Sequence, residues 1–294
     1  MANEGGSFRS LLLGKQLKDL REAAGFTLDE AGEHINKSGP TVSRYENAHV
    51  PINWPVVDAL LHYYEVQDAD HRAAVIALAK DAWKRGWWDS FNDMAAQRFL
   101  DRVWLESRAQ AIQQFSLGYV PGLLQTPAYM EALFREDPFM DDAEIERATE
   151  LRLKRQELLG REQHLDFTAI LDESILHRPV GRPGTLGEQL RHLLVIGDRQ
   201  GVTIRVLPTD AGAYRALSGD FTIFHLGEPF SPFGYIENQA GFQVVEAPDT
   251  ARMLSTYEHI DRAALTPEES AKLIKAAGKD RHVQRRSLAD KQQE

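Results

Sequence analysis

The segment FTLDEAGEHINKSGPTVSRYEN, residues 26–47, constrains the fold of this chain more than any other. It reads as two short helices joined by a tight turn, the arrangement that lays a helix in the major groove of DNA. Thr27 is placed to cap the first helix with its hydroxyl, and Glu30 follows three residues on, as a capping box requires. Ala31 and Ile35 give this helix a thin apolar side, and Ala31 with Gly32 admits a second helix at close range. Asn36 and Lys37 make the turn. Ser38 is expected to cap the second helix, with Pro40 in its first turn, where a missing N–H costs nothing. Val42 and Tyr45 are spaced to point inward. Gly39, Pro40, Thr41, Ser43, Arg44 and Asn47 are then left on the outer side. With Thr27, Leu28, Lys37 and Ser38 they are the candidate DNA-contacting residues.

The flanking sequence supports this frame. Leu13, Leu17 and Leu20 recur at helical spacing before the pair, and Val57, Leu60, Leu61 and Tyr64 after it. Arg21 and Glu46 lie where a charged fork would tie the preceding helix to the end of the outer one. From Arg21 to Asn47 the segment resembles, without gaps, the phage-repressor type of helix-turn-helix, the Cro/repressor superfamily. The resemblance implies a DNA-binding regulator. Where phage repressors commonly present glutamines, Leu28, Gly39 and Pro40 stand here.

Such a module needs only about 60 to 70 residues, and the chain has 294, so a second domain is expected. There is no cysteine, which excludes disulfides and thiolate metal sites. No apolar run has the length of a membrane span, and the N-terminus lacks the basic region and apolar core of a signal peptide. A soluble cytoplasmic protein with no membrane partner is expected. The formal net charge is −10. Residues 1–50 carry Arg9, Lys15, Lys18, Arg21, Lys37 and Arg44 against seven acids. Phosphate contacts act within a Debye length of roughly 8–10 Å, so Arg44, Lys37 and helix N-terminal N–H groups are the local resources. One near-neutral module binds weakly, and a homodimer on an inverted-repeat operator is the expected form.

The chain divides into a disordered tail (1–8), a helix-turn-helix domain (9–67), a linker helix (68–90), an α+β domain (91–278) serving regulation and dimerisation, and a polar tail (279–294). Asp68 and Asp70 are cap candidates for the linker helix, which carries Val75, Leu78, Ala79 and Ala82 on one side. Trp87 and Trp88 follow, either as an apolar clasp or as the wall of a binding site. Residues 91–160 read as all helical, with one long helix over 97–115. From 165 the period changes. LDFTAIL (165–171), VTIRVLP (202–208), DFTIFHL (220–226), FGYIEN (233–238) and FQVVEA (242–247) read as strands, and 186–199, 248–262 and 267–277 as helices. The predicted fold is a mainly α helix-turn-helix domain plus an α+β domain with a four- to five-stranded, mostly antiparallel sheet.

PGLLQT (121–126), RLKRQ (152–156), LDES (171–174), QLRHLL (189–194), VLPTDAGAY (206–214), DFTIF (220–224) and PEES (267–270) occur in a fixed order. Together they resemble the large C-terminal domain of actinobacterial WhiJ-like regulators, a family also described as antitoxin-like because its genes often neighbour a small BldB-type or related acidic partner. The resemblance implies a transcriptional regulator of development or antibiotic production, with a small neighbour-encoded protein or a small-molecule effector as partner. The alternative reading is an antitoxin-like module that sequesters a small acidic protein, with DNA binding secondary. Trp88, Tyr119, Gln125, Arg152, Arg155 and Glu173 are the candidate ligand- or partner-binding residues, because a guanidinium fork matches a carboxylate. The same arginines equally suit a solvated helix face or ion pairs with Glu157 or Glu173. No HxxxH, HxH, GxSxG, P-loop or GxGxxG pattern occurs, so no catalytic residue, metal ligand or cofactor is assigned.

Overall fold

The computed structural model describes residues 7–84, 86–91, 97–160, 165–214, 216, 219–238 and 241–291, without the side chains of 97, 98 and 280–291. Most of the expected tail 1–8 lies outside the described residues. The chain forms two compact units, residues 1–104 with 228–230, and residues 105–227 with 231–294.

The first unit is helical. It contains α1 (Phe8–Ala23), α2 (Leu28–His34), α3 (Gly39–Glu46), α4 (Trp54–Tyr63) and α5 (Ala69–Trp83). Leu13, Leu17, Val42, Val57, Leu60 and Leu61 are among its buried apolar residues, as their spacing predicts. Asp68 caps α5, accepting from the N–H groups of Asp70 and His71. The expected linker helix packs on α1 and α4. Val75, Leu78 and Ala79 supply its buried stripe.

The first four helices stop in one way. At the end of α1, Gly25 donates to Glu22 and Phe26 to Arg21. This is the Schellman pattern, and Gly25 has the φ of +79° that it needs. Asn36, Ala48 and Glu65 take the corresponding place after α2, α3 and α4 at φ of 53–54°. Asn tolerates that region, whereas for Ala and Glu it costs about 1 kcal/mol or more. The turn expected at Asn36 and Lys37 is this motif, with Lys37 N–H on the carbonyl of Gly32 at 2.8 Å.

Helix α6 (Gln97–Arg108) runs from the first unit into the second. The second unit is built on a six-stranded sheet of order β3-β2-β1-β4-β5-β6. Its strands are β1 (Ala111–Ser116), β2 (Asp166–Asp172), β3 (Val202–Leu207), β4 (Phe221–His225), β5 (Phe233–Asn238) and β6 (Gly241–Val245). The first three pair in parallel, and β4, β5 and β6 continue antiparallel from β1. Helices α7 (Pro127–Phe134) and α8 (Asp142–Gln156) connect β1 to β2, and α9 (Thr185–Gly197) connects β2 to β3. Helices α10 (Thr250–Ala263) and α11 (Pro267–Lys291) close the chain. The expected α+β class and antiparallel end are present, with a sixth strand that the sequence reading placed inside a helix.

That strand is β1, and the expected single helix over 97–115 is corrected accordingly. Helix α6 stops at Arg108. Gln110 then donates to His225 at 2.8 Å and the chain enters the sheet. AIQQFS has no strong local strand signal. Its pairing with β2 on one side and β4 on the other decides its state. A second difference is at the C-terminus. The backbone stays helical to Lys291 rather than ending at the expected 277, because nothing in KAAGKDRHVQRRSLADK stops it. An interior glycine such as Gly278 costs only about 1 kcal/mol. The core below the sheet gathers Phe115, Ile170, Leu207, Ile223, Tyr257 and Ile260.

Candidate functional site

In the first unit the site is α2, the turn and α3. Thr27 caps α2 in a complete box. Glu30 N–H donates to Thr27 Oγ1 at 3.2 Å, and Glu30 Oε2 accepts from Thr27 N–H at 2.8 Å. The Thr27 N–H first, and then the Thr27 hydroxyl, which donates to the same oxygen at 2.7 Å, hold the Glu30 carboxyl below its ordinary range. A Cβ at Gly32 would lie 2.8 Å from the carbonyl oxygen of Lys37, so only glycine lets the turn close there.

Ser38 occupies the N-cap position of α3 but makes no side-chain cap bond. Its hydroxyl instead pairs with Thr41 Oγ1 at 3.0 Å, which corrects the expected cap. Gly39 is also corrected: it is buried rather than on the outer side. A Cβ there would meet Asp29 Oδ1, so Gly39 serves the close approach of α2 and α3. Val42 is buried as expected, while Tyr45 is half-buried.

The remaining candidates form one outward face. Thr27, Lys37, Ser38, Pro40, Arg44 and Asn47 are exposed, and Leu28, Thr41 and Ser43 are half-buried. Thr41 Oγ1 accepts from Arg44 Nη2 at 3.3 Å, and Asn47 Nδ2 donates to the carbonyl of Ser43 at 2.7 Å. These bonds order the side chains along the helix before anything binds.

The frame behind this face is the Arg21–Glu46 fork. Arg21 Nε and Nη2 donate to the two Glu46 oxygens at 2.7 and 2.9 Å, and Nη1 donates to the carbonyl of Phe26 at 2.9 Å. Both side chains are buried, with 8% and 4% exposure. The Glu46 bond raises the Arg21 pKa, so the guanidinium stays charged. Burial, then Glu46, pushes the nearby Tyr64 phenol up. The sequence reading missed Gly14, where a Cβ would lie 2.3 Å from the carbonyl oxygen of Glu46. A lone glycine inside LLLGKQL was the available signal that α1 passes the end of α3 backbone to backbone.

In the second unit the expected candidates separate. Gln125, Arg152 and Arg155 do come together around PGLLQT, though as its anchors. Arg155, 2% exposed, closes its fork on Glu106 at 2.7 and 2.8 Å. Arg152 Nη1 donates to Gln125 Oε1 at 2.5 Å and its guanidinium stacks over Phe134. Gln125 Nε2 donates to the carbonyl of Val120 at 2.6 Å. Gln156 and Gln189 hold the same loop, each through two bonds at 2.7–3.0 Å. The expected outward fork on an acidic ligand is therefore corrected for Arg155, whose carboxylate is internal. Sequence spacing gave no sign of Glu106 as that partner.

Glu173 has other partners: it accepts from Thr209 N–H at 2.7 Å and lies 3.9 Å from His177 Nε2. Tyr119 is 52% exposed. Trp88 belongs to the first unit, its ring against Gly86 and edge-on to Trp87 at 5.8 Å. Among the described residues no group of His, Asp or Glu has metal-holding geometry, and no helix is long and apolar enough to cross a membrane.

Comparison with known proteins agrees with this division. Residues 12–75 match a family described as a helix-turn-helix domain. Residues 99–276 match a family described as a domain of unknown function, DUF5753. No curated protein and no solved structure gives a match. The second match spans more than half of the sequence, and the chain belongs to the DUF5753 family, carrying its helix-turn-helix domain ahead of the family's defining region.

Proposed function

We propose that this protein is a sequence-specific transcriptional regulator, not an enzyme, that acts in the cytoplasm. Helix α3 enters the major groove of DNA, and the second unit serves dimerisation and the sensing of an effector or partner. The observation that carries this reading is the ordered outward face of α3, with Arg44, Thr41, Ser43 and Asn47 presented while Val42, Gly39 and the Arg21–Glu46 fork fix the helix from behind. Arg44 suits a base edge or a close phosphate, and Lys37 a phosphate. The likeness of Arg21–Asn47 to the Cro/repressor type, and of the later motifs to the WhiJ-like actinobacterial regulators, supports the reading. The antitoxin-like alternative looked to Arg152 and Arg155 for an acidic partner. Arg155 is turned onto Glu106 and Arg152 onto Gln125, and no observation favours that alternative.

Because the chain is acidic, one module supplies little phosphate affinity, and two modules on a common body gain effective concentration. The regulator therefore acts as a homodimer whose recognition helices lie about 34 Å apart on an inverted repeat. Gel shift against DNA upstream of its own gene, with sedimentation of the complex, tests this. Two chains on one duplex are expected. A monomer both free and on DNA, or no retardation of any upstream fragment, contradicts it.

A further inference from the structure

Helix α10 lies against β4 and β5, and two of its faces behave differently. Tyr257 and Ile260 are buried and fill the core. Arg252, Ser255, Thr256 and His259 follow the i, i+3, i+4, i+7 pattern of a single helix face. Beside this face are two cavities that share Thr256, of about 230 and 360 Å³. Ligand pockets begin at about 300 Å³, so the second cavity alone has room for a small molecule, and Thr256 stands on the wall of both.

The first cavity is apolar at its base. Phe221 and Ile236, partners across β4 and β5, form its floor, with Ala216 and Met253 as walls. Gly234 lets Met253 settle there, since a Cβ would collide with its sulfur. The second cavity is mixed in character, lined by Ala213, Tyr214, Ser255, Thr256 and His259. Asp220 lines the first cavity together with Arg252, Asp172 is bonded to the Tyr214 wall of the second, and both acids already accept hydrogen bonds. Asp220 takes the N–H of Leu117 at 2.8 Å, and Asp172 takes the Tyr214 hydroxyl at 2.5 Å and the N–H of Ser174 at 2.9 Å. What α10 adds is a row of donors: a guanidinium, two hydroxyls and an imidazole.

We propose that this double cavity is the effector site, and that it takes a small amphiphile with an apolar body and an anionic, hydrogen-bond-accepting head. The body sits on Phe221, Ile236 and Met253. The head faces Thr256, Ser255 and His259, with Arg252 at the rim. This deepens the reading of the second unit as a sensor and rests on it.

The test is a calorimetric titration of the full chain with sodium decanoate below its micelle concentration, with decanol as the headless control. One saturable site per chain is expected, with decanol weaker. Thr256→Trp, which fills the shared wall, should weaken decanoate about tenfold or more, and Arg252→Glu should weaken decanoate but not decanol. Arg252 is exposed, so the second variant folds even where the first does not. Absence of a saturable site in the wild type, several sites per chain, or undiminished binding by a folded Thr256→Trp or Arg252→Glu protein overturns the proposal. The titration contains no DNA, so its failure leaves the operator reading standing, and failure on DNA leaves this site standing.

Discussion

At the scale of single residues, two buried polar features set testable energetics. The Arg21–Glu46 fork is enclosed on both sides, so removing one partner leaves a desolvated charge. Glu46→Ala should cost about 3–5 kcal/mol of stability, and the paired replacement Arg21→Met with Glu46→Leu much less. Denaturant melts of the three proteins check this; a double variant as unstable as the single would contradict it. The second feature is His192, whose Nε2 is buried with no hydrogen-bond partner. Burial, then the charge of Arg199, holds its pKa below the ordinary imidazole range, and burial does the same for His225. A base with a lowered folded pKa takes its proton later than the unfolded chain does. Stability is therefore full above the ordinary histidine range of about 6.5 and declines as pH falls through it towards the folded values. The melting temperature should drop between neutral and mildly acidic pH, and His192→Leu should reduce that drop. Equal drops in both proteins would show that His192 does not set the pH dependence.

At the scale of elements, close approach matters as much as hydrophobic pattern. Gly14 puts α1 against the last carbonyls of α3, with no side chain able to give way. Gly14→Val should cost about 1–3 kcal/mol or more through overpacking, and should also tilt α3. A thermal melt with amide-exchange protection of α3 reads both effects; an unchanged melt would show that the helices separate without cost. This element also shows what the sequence made legible. The capping box at Thr27 and Glu30, the turn at Asn36, the α5 cap at Asp68 and the Arg21–Glu46 pair were readable because each is local or fixed by helix phase. Strand β1 was not, because Ile112, Gln114 and Phe115 become a strand only through β2 and β4, which arrive many residues later. The candidate cluster in the second unit was half legible for the same reason. Gln125, Arg152 and Arg155 do meet, but the partner that turns Arg155 inward, Glu106, is set by tertiary packing alone. The α10 cavities went unread because their walls come from three separated segments.

At the scale of the whole molecule, the acidic balance and the helix-turn-helix domain pull in opposite directions. A net charge of −10 lowers non-specific attraction to DNA and places the demand for affinity on a few oriented contacts and on having two modules per complex. That demand falls first on Arg44, the exposed cation of α3 that Thr41 orients. The direct measurement is a fluorescence-anisotropy titration of wild type and Arg44→Ala on the upstream operator across a series of salt concentrations. Saturable wild-type binding is expected, with a loss of about 1–3 kcal/mol in the variant and near-equal thermal melts of the two free proteins. Operator affinity and salt slope unchanged by Arg44→Ala would contradict the docking of α3 in the major groove.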